Sequence, residues 1–410
     1  MDKSRLREFA KLAVKTGINI QPGQLLIINA AVSAQEFTHL CVEEAYAAKA
    51  GEVRVKWYDD YLTKLTYENV DTNILKNVQQ WKIDEKKEEV ERGCAYLSIR
   101  DEVPGNLKDI PSEKLQEVTA AQRVAFEPFR YYTMANVGQW CIVGHPNPTW
   151  AKKIFPDKSE AEAVEALWEA ILSASRVDGK TDPIQAWENH NKAIKKYSGK
   201  MNEYQFKTLH FKNGLGTDLM LDLAPNHIWA GGQDKTMTGV LFNPNIPTEE
   251  VFTAPRRRGV NGVVYGTKPL NYQGKLIENF WIRFEQGKAV EFKAEKEEDA
   301  LRNLINLDEG SAYLGEVALI SHFSPISEMD ILFYMTLFDE NASCHLALGA
   351  AYPSNIKGGH DLSKEELVQH DVNVSMAHSD FMFGSADMSI VGVKETGEEV
   401  QVFENGSFCI

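Results

Sequence analysis

No stretch of this chain approaches the ~20 consecutive apolar residues that a membrane span needs, so a membrane protein is not expected. Basic residues are in deficit: 44 Lys and Arg face 59 Asp and Glu, for a net charge of −15. Phosphate binding needs clustered cations, so neither nucleic acid nor an anionic membrane is an expected partner. The one basic run, Arg256-Arg257-Arg258, directly follows an acidic segment. It is read as balancing local carboxylates or holding a substrate carboxylate. Cysteine is also scarce. Cys41, Cys94, Cys141, Cys344 and Cys409 are an odd, scattered set without C-x-x-C spacing, which excludes a disulfide framework and points to a reducing cytoplasm. The charged opening Met1–Glu8 lacks the apolar core of a signal peptide. The N-x-S/T sequons at Asn341, Asn373 and Asn405 are then chance matches. Also absent are a G-x-x-x-x-G-K-[ST] phosphate loop, an H-E-x-x-H zinc helix and a G-x-S-x-G nucleophile elbow. Gly259, Gly262 and Gly266 lack dinucleotide-binding spacing. Cys344 and His345 are adjacent in sequence, which rarely gives the geometry of a Cys–His nucleophile.

What is present is ordinary globular protein. The 410 residues, 43% of them hydrophobic, suffice for two or three domains with cores that need no staple. The first half alternates helix and strand signals. Residues 3–17 have helical spacing, followed by a buried strand at Leu25–Ile28, a helix near 34–50 and a strand at Glu52–Trp57. Helical stretches near 73–92 precede a strand at Ala95–Ile99, and a helix near 112–125 precedes one at Trp140–Val143. Helices near 158–174 and 184–198 close the half. This repetition predicts an α/β domain, a mostly parallel sheet with flanking helices. Past residue 200 the texture changes to short strands, at Tyr204–Phe211, Asp218–Leu223 and His227–Ala230. Gln273-Gly274 and Gln286-Gly287 read as hairpin turns, and Ala294–Asn306 as one amphipathic helix. An α+β C-terminal domain is expected, with the boundary near 185–205. The division adopted is 1–195 and 196–410.

The most informative segment is Asn245-Ile246-Pro247-Thr248-Glu249-Glu250-Val251-Phe252-Thr253-Ala254-Pro255. Proline fixes φ and drives the preceding residue toward extended backbone, so an acidic pair is held on a stiff segment. A decorated turn is the alternative. Downstream lie Glu316, Glu340, His345, Tyr352 and the run His378-Ser379-Asp380. Oxygen and imidazole donors of this kind suit zinc, cobalt or manganese at a hydrolytic site. In a strand, residues i and i+2 share a face, so His378 and Asp380 can grip one ion. A hydrogen-bonded His–Asp pair in the core is the other reading. His345 stands among small and apolar residues, where a satisfied core histidine is common. Glu316 lies in the apolar run Leu314–Ile320. Glutamate is rarely buried without a partner, so a metal, or else a structural arginine, is implied. Glu340 is a ligand candidate, or else a helix-capping or surface acid.

The segments NIPTEEVFTAP, LGEVAL, DENASCHLALG, AYP and the late H-x-D together resemble the aminopeptidase T / aminopeptidase S / PepS family of thermophilic-type metalloaminopeptidases, across the whole chain. The resemblance implies a cytoplasmic exopeptidase with two divalent metal ions in its C-terminal domain. By motif, the ligand roles fall on Glu250, Glu316, Glu340, His345, His378 and Asp380, and Tyr352 matches the family's active-site tyrosine. Glu316 is expected to be the bridging ligand or the general base, and Tyr352 to stabilise the oxyanion. Ser379 stands where an apolar residue is expected, on the face opposite its neighbours. Small peptides are the expected substrates, cleaved with broad specificity. A homodimer is expected, with the N-terminal domain covering the site and pairing subunits. The alternatives are a metal-dependent amidohydrolase acting on non-peptide amides and a non-catalytic peptide- or metal-binding protein.

Overall fold

The computed structural model of the chain describes residues 2–410, except the side chain of His360. It forms two compact units, Met1–Asn189 with Gln233–Pro247, and His190–Gly232 with Thr248–Ile410.

The first unit is an α/β layer structure. Its five-stranded sheet has the order Glu52–Tyr58, Leu25–Ala31, Ala95–Arg100, Trp140–Gly144, Asn245–Ile246, and every pairing is parallel. The Leu25–Ala31 strand reads LLIINAA and is buried along nearly its whole length, as expected of a strand covered on both faces. Local signals set the helix starts. Ser159 and Glu162 form a capping box ahead of the helix Glu160–Ala174. Asn147 caps the helix Pro148–Ile154, which has proline in its first turn. That helix and another, Asp60–Asn69, capped by Asp59, are absent from the periodicity reading because each is short. The helix expected to end near 125 continues to Met134 through Pro128. Tertiary contacts outweigh the hydrogen bond that proline removes. Tyr132, near its end, is buried and donates to the carbonyl of Cys94 at 2.7 Å. Residues 233–247 belong to this unit through side chains such as Phe242 and a two-residue strand on Trp140–Gly144, too short to give a periodic signal.

The second unit is α+β and mostly antiparallel. A nine-stranded sheet includes the long strands Pro255–Tyr265, Lys275–Glu285 and Lys288–Lys296. The two expected hairpin turns form. Gln273 and Gly274 have φ of 52° and 81°, and Gln286 and Gly287 have φ of 47° and 81°, the double left-handed geometry that matches strand twist. A Cβ on Gly287 would lie 1.8 Å from the carbonyl oxygen of Arg257, so only glycine fits there. The expected helix from Ala294 begins at Glu298 instead. The preceding residues stay in the Lys288–Lys296 strand, where Ala294 is buried in the core. His227–Ala230 makes only isolated bridges.

A second, four-stranded sheet has the order Val251–Thr253, Leu314–Leu319, His345–Gly349, His378–Met382. One of its faces packs into the main core through Val251, Val317, Leu319, Leu346, Leu348 and Phe381. Among the described residues no helix is long and apolar enough to cross a membrane.

Candidate metal centre

Alternation along these four strands builds the site. Register pairs Glu316 with Ala347 and Ala347 with Asp380. Cross-strand partners share a face, so the two carboxylates flank a small alanine. The adjacent row is Val317, Leu346 and Phe381, and it points the other way into the core. His345 lies two residues from Ala347, and His378 two from Asp380, so both imidazoles join the carboxylate face. Ser379, paired with Leu348, takes the opposite face. A bulge sets the phase of the central strand: Leu314 opposes Leu348, while Glu316 opposes Ala347. The extra residue is Gly315, where a Cβ would lie 2.3 Å from the backbone of Ala350. The bulge allows Leu314 to face the core and Glu316 to face the site. Glu250 precedes core-facing Val251 and so projects with the others.

The donors converge. Nε2 of His345 lies 3.3 Å from Glu250 Oε2 and 3.4 Å from Glu316 Oε1. Nε2 of His378 lies 3.6 Å from Glu316 Oε2 and 3.4 Å from Asp380 Oδ1. Each oxygen of Glu316 thus faces a different histidine. Two triads result, Glu250–Glu316–His345 and Glu316–His378–Asp380, with Glu316 common to both. Glu340, on the turn Glu340–Ala342, belongs to neither triad. Burial pushes its carboxyl well above the usual range, and the charges of Glu250 and Asp380 push it further.

The tautomers of the histidines are fixed from behind. Nδ1–H of His378 donates to the carbonyl of Ala350 at 2.8 Å, and that of His345 to the carbonyl of Ser343 at 3.3 Å. A neutral ring then turns its Nε2 lone pair toward carboxylate oxygens, which is repulsive unless a cation lies between. Asp380 Oδ1 is buried and accepts no hydrogen bond. Each buried unpaired ion costs several kcal/mol, so four carboxylates left alone would rival the ~5–15 kcal/mol that a folded protein has in total. Without a metal, protons are the only cation on hand. Burial alone would lower both imidazoles. The carboxylates outweigh it, raising His378 to about 10 and His345 well above its ordinary value. Burial lifts Glu316, while the facing charge of His378 overcomes burial and holds Asp380 low. The N···O separations of 3.3–3.6 Å are long for hydrogen bonds. They approach the roughly 3.3 Å edge of a tetrahedron of donors at about 2.0–2.1 Å from zinc. The donor set fits divalent cations.

Tyr352 stands beside this cluster. Its ring centroid is 4.9 Å from that of His378 and 6.1 Å from that of Phe252. The loop that carries it is pinned: Ala350 N–H donates to Ala377 O at 2.7 Å, and Ala351 N–H to Asn373 O at 3.0 Å. The side-chain amide of buried Asn373 in turn donates to Gly349 O at 2.6 Å. Burial, then the charges of Glu316, Asp380, Glu340 and Glu250, push the phenol well above its ordinary value, so it keeps its proton.

All six expected donors and Tyr352 therefore lie in one region of the second unit. Within the acidic pair, Glu249 turns elsewhere. Its carboxylate is 3.8 Å from His190, and its N–H donates to Asn341 Oδ1 at 2.7 Å. Of the basic run, Arg256 and Arg258 bind Asp371 at 2.7 and 2.9 Å, and Arg257 binds Glu309 at 2.6 Å, so local carboxylates take all three. Sequence reasoning passed over the carbonyls of Ser343 and Ala350, which leave no mark in a sequence. It also passed over Phe252, which strand alternation from Glu250 would have placed on the same face.

A family model for thermophilic metalloproteases (M29) matches residues 2–408. Aminopeptidase AmpS of Bacillus subtilis is 44% identical over 405 residues, 99% of this chain and 98% of the relative. Aminopeptidase T of Thermus aquaticus is 40% identical, with 99% and 98% covered. The structure of wild-type AmpT from Thermus thermophilus superposes with a TM-score of 0.92 at 38% identity, covering both chains completely. A 2,5-dihydroxypyridine dioxygenase from Pseudomonas putida shares the fold alone, at TM-score 0.53 and 10% identity.

Proposed function

Since the chain belongs to the thermophilic metalloprotease (M29) family and is a metal-dependent aminopeptidase, we propose that it removes N-terminal residues from small peptides, with broad specificity, with the help of two divalent ions that the donors around Glu316 would hold. The observation that carries this reading is that the two oxygens of Glu316 face two different histidines. Glu250, Glu316 and His345 would hold one ion, and Glu316, His378 and Asp380 the other, with Glu340 as a further oxygen donor. Membership of Glu316 in both groups supports a role as shared ligand over that of a free general base. Bound there, zinc, cobalt or manganese ions would lower the pKa of a water and polarise the scissile carbonyl.

The chain's own groups supply the rest. The backbone carbonyls of Ser343 and Ala350 orient the imidazoles, which is how such outer partners fix a ligand. Tyr352 keeps its proton and offers it to the oxygen that gains charge as the first peptide carbonyl becomes tetrahedral. The substrate's free α-amine would be received at one ion and an acidic group.

The five free cysteines support a cytoplasmic location. The first unit, proposed to pair subunits, supports a homodimer by its surface. Its helix Ser112–Met134 leaves Val124, Tyr131 and Met134 exposed.

The test is hydrolysis of aminoacyl-p-nitroanilides and their N-acetylated forms, before and after chelation. Activity restricted to the free-amine substrates, abolished by chelator and restored by Co²⁺, Zn²⁺ or Mn²⁺, is expected. Equal cleavage of acetylated substrates would make the protein a general amidohydrolase instead. Undiminished activity after complete chelation would remove the metals from the reaction.

A further inference from the structure

The charged face of the four-stranded sheet carries one large apolar side chain that no step above uses. Phe252 lies two residues after Glu250, so the two project to one side while Val251 between them enters the core. Register places Phe252 across from Ala318, and Ala318 across from His345. The residue between them in register, Ala318, is small. Phe252 is only half-buried. Its ring meets Tyr352 at 71° with centroids 6.1 Å apart, and Tyr352 in turn lies against His378. The three rings make one continuous aromatic side to the donor cluster. The backbone beneath is fixed: Phe252 exchanges hydrogen bonds of 3.0 Å with Ala230 in both directions, and Asn355 Nδ2 donates to its carbonyl at 3.3 Å.

Resting on the aminopeptidase reading, we propose that Phe252 forms the apolar side of the subsite for the substrate's N-terminal side chain, and that this subsite prefers aromatic and branched aliphatic residues. The first side chain of a peptide is attached one bond from the carbonyl to be cleaved. With that carbonyl within reach of Tyr352, the side chain must lie against whatever flanks Tyr352, and Phe252 does. An apolar side chain placed there takes its own surface and that of Phe252 out of water. An acidic first residue would lose hydration against that ring without gaining a cationic partner there.

The experiment is steady-state kinetics of the metal-loaded wild type, Phe252→Ala and Phe252→Leu on leucyl- and alanyl-p-nitroanilide. Apolar subsites discriminate side chains by about tenfold or more. Phe252→Ala is therefore expected to lower kcat/KM for the leucyl substrate about tenfold, mainly through KM, because the contact is made before the transition state. The alanyl substrate should change little, and Phe252→Leu should recover part of the preference. A residue that merely propped Tyr352 would lower kcat on both substrates alike. An unchanged leucyl-to-alanyl ratio therefore overturns the proposal. If Phe252→Ala fails to fold, the ratio in Phe252→Leu decides in the same way: a reduced leucyl preference supports the subsite and an unchanged one refutes it. A metal-loaded wild type inactive on both substrates would overturn the aminopeptidase reading and this inference with it. An active wild type with unaltered ratios in the variants overturns only the subsite.

Discussion

Both units bury carboxylates, and a cluster in the first is neutralised differently from the donor cluster in the second. In the first, Glu89 is 1% exposed. Lys56 pairs with it, Lys86 lies 3.8 Å away, and Tyr96 Oη–H donates to it at 2.9 Å. Asp101 there accepts from Ser33 at 2.7 Å, Tyr58 at 3.1 Å and Asn147 at 3.1 Å. The chain supplies every partner itself. In the second unit, Glu250, Glu316 and Asp380 face two histidines and each other, with Glu340 near them. Among the described residues no Lys or Arg forms an ion pair with any of the four. Buried charge is expensive wherever it sits. The difference teaches that a carboxylate paired within the chain is architecture, whereas a group of them facing only imidazole lone pairs is a receptor for cations from outside.

The largest effect that sharpens this contrast concerns chemistry. Tyr352→Phe retains the ring beside His378 and removes only the donor. With kcat for an aminoacyl substrate as the readout, a fall of about 10²–10³ is expected, with KM and metal content little changed. Near-normal kcat would return Tyr352 to packing. A smaller effect tests the first unit. Lys56→Met leaves Glu89 without its nearest cation. Lys56 is about one-third exposed, and water screens part of the loss, so unfolding free energy should fall by about 1–3 kcal/mol, with kcat per folded molecule unchanged. The smallest effect has the opposite sign. Burial raises the Glu316 carboxyl, so its ionised form is costly in the metal-free folded state. Glu316→Gln should leave the chelated protein as thermally stable as wild type or more so. The same variant should gain less stability than wild type when metal is added. If both substitutions simply lower the unfolding temperature in chelator, the two clusters are of one kind and the contrast fails.

Much of this was legible in the sequence because both the parallel sheet and the site strands follow simple periodicities. Leu25–Ala31 announces itself as a buried strand, and His378 and Asp380 share a face at any register. Glu316 is conspicuous as one acid in an apolar run. Other features depend on contacts between distant segments. The Gly315 bulge decides that Leu314 and Glu316 face opposite ways; the glycine in LGEVAL is its one mark, and the pairing with His345–Gly349 sets its phase. The return of residues 233–247 to the first unit rests on a two-residue strand. Helix Ser112–Met134 outlasts its proline because Tyr132 reaches Cys94. The division of labour between Glu249 and Glu250 needed only alternation, whereas the backbone carbonyls that fix His345 and His378 have no side-chain signature at all.

The most direct test of the central claim is the number and position of bound ions, measured by anomalous scattering from crystals of the metal-loaded protein alongside metal analysis in solution. The account predicts two divalent ions per chain, one beside His345 and one beside His378, each touching a different oxygen of Glu316, and loss of occupancy at both positions in Glu316→Gln. A single ion, or a full pair retained after Glu316→Gln, would contradict it.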